Sequence, residues 1–184
     1  PLWTPSEEKI SNSNIEVLKK VINRDYKLNL SSYNDLHNWS INNISEFWNT
    51  VWHDTGIISS KKFTSVVKNL EKMPGAQWFE SSRLNFAENL LKNNSEKVAI
   101  EFYGEDKVIK KISYKELNKL VYKVSYSFTK MGIKSGDRIC AIMPNMPETV
   151  ILMLASVSIG AIWTSCSPDF GTKGILDRFL QVEP

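Results

Sequence analysis

The chain has 184 residues, of which 42% are hydrophobic and 23% are charged, and its net charge is +3. This is the composition of a globular protein with a core. Because the basic residues are scattered among acidic ones, the sequence lacks the basic surface of a nucleic-acid-binding protein, and we expect no nucleic-acid partner.

The sequence also gives no sign of a membrane or an oxidising environment. The longest apolar run, Val150 to Ile162, is shorter than the roughly 18–20 residues that span a bilayer, and the first residues do not have the pattern of a signal peptide. Cys140 and Cys166 have neither the spacing of a metal site nor that of a disulfide framework. We therefore expect a cytoplasmic protein with reduced thiols and no membrane partner.

Residues 1–95 are rich in Asn, Ser and Trp and predict a helical region. Thr4 can act as the N-cap of a first helix, with Pro5 at its first position and Glu7 completing a capping box. The apolar face of this helix contains Ile15, Leu18, Val21 and Ile22. A second helix is predicted from Asn43 to Asp54, and Gly56 ends it.

An apolar and aromatic stripe follows this second helix at spacings of three and four; its members are Ile44, Phe47, Trp48, Val51 and Trp52. Such a stripe more often packs in a core than forms a ligand platform, so we expect Trp48 and Trp52 to be buried. His37, in a short polar stretch, and His53, at the end of the helix, have no neighbouring cysteine or paired acid. Neither is predicted to be catalytic or to bind a metal.

Residues 96–184 alternate strands and helices. Val98, Ile100 and Phe102 alternate as in a strand, and Gly104-Glu105-Asp106 turns the chain into a return strand over Val108 to Ile112. A capping box, Ser113 with Glu116, begins a helix that Gly132 ends.

A parallel crossover unit follows. Arg138 to Met143 and Ala161 to Ser165 are apolar strands, and Pro147 to Gly160 is the helix between them. A last helix is predicted over Thr172 to Val182. Because α/β sheets bind ligands beyond the carboxyl ends of their strands, the loops Pro144–Pro147 and Ser165–Gly171 form the expected ligand edge. The fold class is therefore α/β, with a helical amino-terminal region followed by parallel βαβ units.

Several segments, in this order, resemble the adenylate-forming enzymes. Trp78-Phe79 with Leu84–Leu90 is similar to the segment that leads into the large domain of acetyl-CoA synthetase relatives. Three further segments resemble elements of the whole superfamily: Ile112–Leu117, Gly132–Arg138 and Pro144–Glu148. The resemblance implies that residues 1–95 form an amino-terminal region of the acetyl-CoA synthetase type, and that residues 96–184 begin the AMP-binding domain.

Three stretches point to a narrower family, because they resemble acetoacetyl-CoA synthetases: Leu2–Pro5, Pro74–Phe79 and Gly160–Gly171. The resemblance implies a ligase whose small-molecule partners are acetoacetate, ATP and CoA. ATP, with Mg²⁺, would activate the acetoacetate carboxylate as an acyl-adenylate with loss of pyrophosphate, and the CoA thiol would then displace AMP. Two alternatives stay open. The protein could be another short-chain acyl-CoA synthetase, for acetate or propionate, or a non-catalytic binding module derived from the amino-terminal part of a synthetase.

The glycine-rich phosphate loop of the family has no counterpart among the eight glycines of the chain. The adenine-binding segment, the ribose-binding aspartate and the catalytic lysine also have none, and we expect them beyond Pro184. The chain is therefore expected to be a fragment that alone forms no acyl-adenylate, and it offers no catalytic residue and no metal ligand.

The resemblance assigns one local site, in the loop Ser165–Gly171 and the helix after it. Asp169 and Phe170 would line the tunnel through which the pantetheine arm of CoA reaches the adenylate, and Arg178 would approach the CoA phosphates. Acetyl-CoA synthetases have a more glycine-rich loop here. A structural alternative is that Asp169 caps the following helix, where aspartate is favoured.

Overall fold

The structure is a computed structural model that describes residues 2–105 and 107–184, and the chain divides into two compact units, Pro1–Arg83 and Leu84–Pro184. The first unit contains the helices α1 (Glu7–Ser11), α2 (Asn14–Tyr26), α3 (Tyr33–Asn42) and α4 (Ile44–Asp54) and the strands β1 (Ser65–Lys68) and β2 (Gln77–Glu80). The second unit contains α5 (Phe86–Leu90), β3 (Val98–Gly104), β4 (Val108–Ser113), α6 (Tyr114–Lys130), β5 (Arg138–Ile142), α7 (Pro147–Ser158), β6 (Ile162–Cys166) and α8 (Gly171–Val182).

The first helical region differs from the prediction at its start. The N-cap is Ser6 rather than Thr4, since the Ser6 hydroxyl accepts a hydrogen bond from the backbone N–H of Lys9 at 3.3 Å. The helix then ends at Ser11, and Ser13 caps α2 by accepting from the N–H of Glu16. Serine side chains compete for backbone groups, so a stretch that looks like one helix is divided into two.

A whole helix, α3, was absent from the prediction, which placed His37 in a polar stretch between elements. Ser32 and Asp35 form a reciprocal capping box at its start. Hydrogen bonds to the carboxylate from the backbone N–H of Ser32 and from the hydroxyl and backbone N–H of Ser31 lower the pKa of Asp35 from 3.8 to about 2. Leu36 is the buried residue of this helix.

The aromatic stripe of α4 is only partly covered, so the expected burial of Trp48 is wrong. Trp52 is half-buried, with ring centroids 4.5 Å from Phe79 and 5.2 Å from Phe63. Trp48 is 40% exposed and meets the edge of Trp78 at 5.7 Å. Trp48, Trp78 and Phe79 line an open apolar cleft of about 280 Å³. Helical periodicity identified the apolar face correctly, and the rings of Phe63, Trp78 and Phe79 pack against part of it.

In the second unit, β3 and β4 form the predicted antiparallel hairpin, with Gly104 opposite Val108 at its tip. Asp106, part of the predicted turn, lies outside the described residues. Ser113 caps α6 as predicted, because its hydroxyl accepts from the N–H of Glu116 at 3.2 Å.

The crossover prediction is confirmed. β5 and β6 pair in parallel, with Arg138 opposite Ile162 and Ile142 opposite Cys166. A buried cluster is contributed by α5, β4, α6 and α7: Ala87, Ile112, Leu117, Val121, Ile151, Leu154 and Ala155. The fold is therefore α/β, as predicted. The amino-terminal region contains the predicted helices, but it also contains the antiparallel β1–β2 pair, which was not predicted.

Asn85 connects two elements of this core. Its side-chain oxygen accepts from the N–H of Glu88 and caps α5, while its side-chain nitrogen donates to the carbonyl of Val157 at 2.8 Å. That carbonyl lies in the last turn of α7 and also accepts from the backbone N–H of Gly160 at 3.0 Å. The asparagine therefore caps α5 and adds a second donor at the end of α7.

No helix among the described residues is long and apolar enough to cross a membrane.

Candidate functional site

The loops after β5 and β6 leave the same edge of the parallel pair, where the sequence placed the ligand edge. The backbone N–H of Met143 donates to the carbonyl of Cys166 at 3.1 Å, which extends the pairing of the strands into the loops. The two loops are thus held side by side at their origins.

The first loop borders a small cavity. Asn145, Met146 and Pro147 face the strand residues 100–103 across about 260 Å³. The hydroxyl of Thr149 donates to the carbonyl of Pro144 at 2.7 Å and fixes the loop. Nearby, the ammonium group of Lys110 lies 3.0 Å from the carboxylate of Glu148 and lowers its pKa. This ion pair joins β4 to the start of α7.

The second loop is organised by Ser167. Its hydroxyl donates to the carboxylate of Asp169 at 2.9 Å and lies 3.3 Å from the backbone N–H of the same residue. Pro168 to Phe170 form one turn of 3₁₀ helix. The predicted capping role of Asp169 is wrong, since α8 begins at Gly171 with Phe170 at its N-cap and no described side chain caps it. The Asp169 carboxylate instead accepts a hydrogen bond from the Ser167 hydroxyl, in the turn that precedes the helix.

The structure brings two of the three predicted site residues together. The guanidinium carbon of Arg178 lies 4.3 Å from the centroid of the Phe170 ring. Phe170 is 48% exposed, and Arg178 is also exposed. This contact was not predicted, although Phe170, Gly174 and Arg178 stand four residues apart, a spacing that places side chains on one face of a helix.

The chemistry available at this edge is binding rather than catalysis. A guanidinium group supplies donors that match phosphate oxygens, so Arg178 fits a nucleotide phosphate. Within residues 2–105 and 107–184, no group of three or more His, Cys, Asp or Glu side chains could hold a metal ion. The described residues therefore give no basis for assigning Mg²⁺ ligands.

Comparison with known families divides the chain at a similar place to its two compact units. Residues 33–90 match the family described as the acetyl-coenzyme A synthetase N-terminus, and residues 86–184 match the AMP-binding enzyme family. The second match alone covers more than half of the chain.

Individual relatives match this chain over its whole length. Acetoacetyl-CoA synthetase of Danio rerio is 44% identical over 188 residues, and acetoacetyl-coenzyme A synthetase of Rhizobium meliloti is 41% identical over 184 residues. The solved structure of acetoacetyl-CoA synthetase from Streptomyces lividans is 32% identical and superposes with a TM-score of 0.90 over 100% of this chain.

The chain spans only part of each relative: 27% of the Danio rerio protein, 28% of the Rhizobium meliloti protein and 29% of the Streptomyces lividans chain. Over that part, the resemblance to acetoacetyl-CoA synthetases is confirmed in both sequence and fold. From its match over residues 86–184, the chain belongs to the AMP-binding enzyme family.

Proposed function

We propose that the protein to which this chain belongs is an acid–thiol ligase that converts acetoacetate, ATP and CoA to acetoacetyl-CoA, AMP and pyrophosphate. The observation that supports this most is identity of 44% and 41% to acetoacetyl-CoA synthetases along the full length of the chain. Acetoacetate is favoured over acetate or propionate because these relatives match through both units.

The proposed reaction has two steps. A carboxylate oxygen of acetoacetate attacks the α-phosphorus of ATP, and pyrophosphate leaves. The sulfur of CoA then attacks the carbonyl carbon of the acyl-adenylate, AMP leaves, and the thiol proton goes to solvent. Mg²⁺, when bound with ATP, would neutralise phosphate charge. We propose that the groups for adenylation belong to parts of the protein outside these 184 residues.

The role proposed for this chain lies at the edge formed by the loops after β5 and β6. Asp169 and Phe170 would line the path of the pantetheine arm, and Arg178 would bind a phosphate of CoA. What supports this is that all three side chains lie in or directly after the loop at the carboxyl end of β6, where α/β sheets bind ligands. Two free cysteines, Cys140 and Cys166, fit a reducing compartment, and we propose that the protein acts in the cytoplasm.

The proposal is tested by competition between acids. The whole natural gene product is incubated with ATP, Mg²⁺, CoA and equal concentrations of acetoacetate, acetate and propionate, and the thioesters are separated and quantified. We expect acetoacetyl-CoA to dominate the products. Predominance of acetyl-CoA or propionyl-CoA would assign the protein to another short-chain synthetase, and the absence of any thioester would favour the binding module.

A further inference from the structure

We propose that Phe170 is a positioning residue, which holds the guanidinium group of Arg178 in place for a phosphate group of CoA. This inference rests on the proposed function, but it gives Phe170 a role through Arg178 in place of direct contact with the pantetheine arm, and the double variant described below separates the two roles. The observation that carries it is the stack of the guanidinium group on the Phe170 ring, with 4.3 Å between the guanidinium carbon and the ring centroid.

The helix geometry explains how residues eight positions apart meet. Side chains in an α-helix point back towards its amino terminus, so the long side chain of Arg178 extends along α8 towards Phe170 at the N-cap. Gly174 lies between them, and a Cβ there would be 3.5 Å from the Cβ of Phe170. The Phe170 side chain therefore lies directly against the helix, and a guanidinium group can cover its ring.

Stacking uses the face of the guanidinium group and leaves its edge free. The N–H donors lie in the plane of the group, where they can bind phosphate oxygens in pairs. No carboxylate within 4.0 Å and no hydrogen-bond acceptor of Arg178 is found among the described residues. The edge donors are thus available for a ligand.

The contact also restricts the side chain before a ligand arrives. A free arginine side chain has many rotamers, and a phosphate that binds it must restrict them. An arginine already held on an aromatic ring loses less conformational freedom on binding.

The test uses the whole natural protein, with CoA as the probe. The Kd for CoA is measured by calorimetry, and the KM for CoA and the kcat are measured in the complete reaction. Acetoacetate-dependent pyrophosphate exchange without CoA serves as a separate reading of the adenylation site. The variants are Phe170→Leu, Phe170→Tyr, Arg178→Gln and the Phe170→Leu/Arg178→Gln double variant. The matched control is Leu176→Ala, which truncates a 52% exposed side chain on the same helix.

We expect Phe170→Leu to raise the Kd and the KM for CoA about two- to fivefold, the effect of losing an exposed cation–π contact. Phe170→Tyr retains the ring and should restore both values. Arg178→Gln should have a larger effect, and adding Phe170→Leu to it should change the Kd no further, because the phenylalanine acts through the arginine.

Three results would overturn the proposal: a Kd for CoA that Phe170→Leu leaves within 1.5-fold of the parent, a Phe170→Tyr variant as weak as Phe170→Leu, or full additivity in the double variant. If Phe170→Leu does not fold, Phe170→Met, which keeps a large apolar side chain without a ring, takes its place with the same expected and contradicting values. Failure of the proposed function can be told apart from failure of this inference. If the proposed function is wrong, the parent protein itself shows no acetoacetate-dependent pyrophosphate exchange.

Discussion

Replacement of Asn85 by alanine should destabilise the second unit more than its half-buried position at the start of a short helix suggests. The side chain of Asn85 caps α5 through the N–H of Glu88, and it also donates to the carbonyl of Val157 at the end of α7. Alanine removes both interactions, so α5 loses its cap and the carbonyl of Val157 keeps only a backbone N–H, that of Gly160, as its donor.

The magnitude follows from the two contacts. Loss of an asparagine N-cap costs about 0.5–2 kcal/mol, and a hydrogen bond such as the one to Val157 contributes about 0.5–1.5 kcal/mol. We therefore expect Asn85→Ala to lower the free energy of unfolding by about 2 kcal/mol. For a chain of this size, that corresponds to a fall in Tm of about 4–8 °C.

The assay is thermal and urea unfolding of the 184-residue chain, followed by circular dichroism. Asn94→Ala is the matched control, because Asn94 is exposed and lies in a nearby loop. Asn85→Asp separates the two contacts, since aspartate caps helices equally well but cannot donate to the carbonyl of Val157. An Asn85→Asp variant as stable as the parent would show that the bond to α7 contributes nothing, and an Asn85→Ala variant as stable as the control would refute the whole argument.

Three further predictions concern stability. Gly160→Ala should destabilise the chain by about 1–2 kcal/mol more than Gly132→Ala, because both glycines have positive φ but an added Cβ at Gly160 would lie 2.6 Å from a serine hydroxyl oxygen; equal midpoints in urea would contradict this. Trp52→Ala should lower the free energy of unfolding by about 3 kcal/mol, and Trp48→Ala, at the exposed end of the stripe, by about 1 kcal/mol. The reverse order would mean that Trp48, which lines the apolar cleft, is packed better than Trp52. Asp35 has a lowered pKa, so its ionised carboxylate stabilises the fold above pH 4, and this stabilisation is lost as the pH falls towards 2. The difference in Tm between the parent and Asp35→Asn should therefore shrink over that range. A difference in Tm that stays constant would contradict the prediction.

The second unit could be predicted from sequence because its signals agree with one another. Alternating apolar residues gave the β3–β4 hairpin, Ser113 gave the start of α6, and Pro147 gave the start of α7. Two apolar strands separated by one helix leave few arrangements other than a parallel pair. Local preference and tertiary packing favour the same structure there.

The first unit was harder to predict because its signals are polar. The sequence of α3 has a weak apolar face, and the signal that could have found it is Ser32 followed by Asp35, an acidic version of the capping box. The exposure of Trp48 could not be deduced from α4 alone. Periodicity shows which side of a helix is apolar, whereas burial depends on how far the facing sheet extends.

The position of the loop after β6, at the carboxyl end of a parallel strand, could be predicted from sequence, whereas the contacts within the loop could not. Strand order placed the loop after β6 at a ligand edge, and resemblance singled out Asp169, Phe170 and Arg178. The hydrogen bond from Ser167 to the Asp169 carboxylate depends on a local turn that propensities do not resolve. The stack between Phe170 and Arg178 depends on side-chain rotamers, which a sequence pattern does not specify.

The central claim, that this chain is part of an enzyme that activates acetoacetate as an adenylate, is tested most directly by isotope exchange. Labelled pyrophosphate is incubated with ATP, Mg²⁺ and the whole natural protein, without CoA, in the presence of acetoacetate or acetate. The account predicts incorporation of label into ATP that depends on acetoacetate, with a kcat/KM for exchange higher than that for acetate, and no incorporation with the 184-residue chain alone. Exchange that acetate supports better than acetoacetate, or no exchange with either acid, would contradict it.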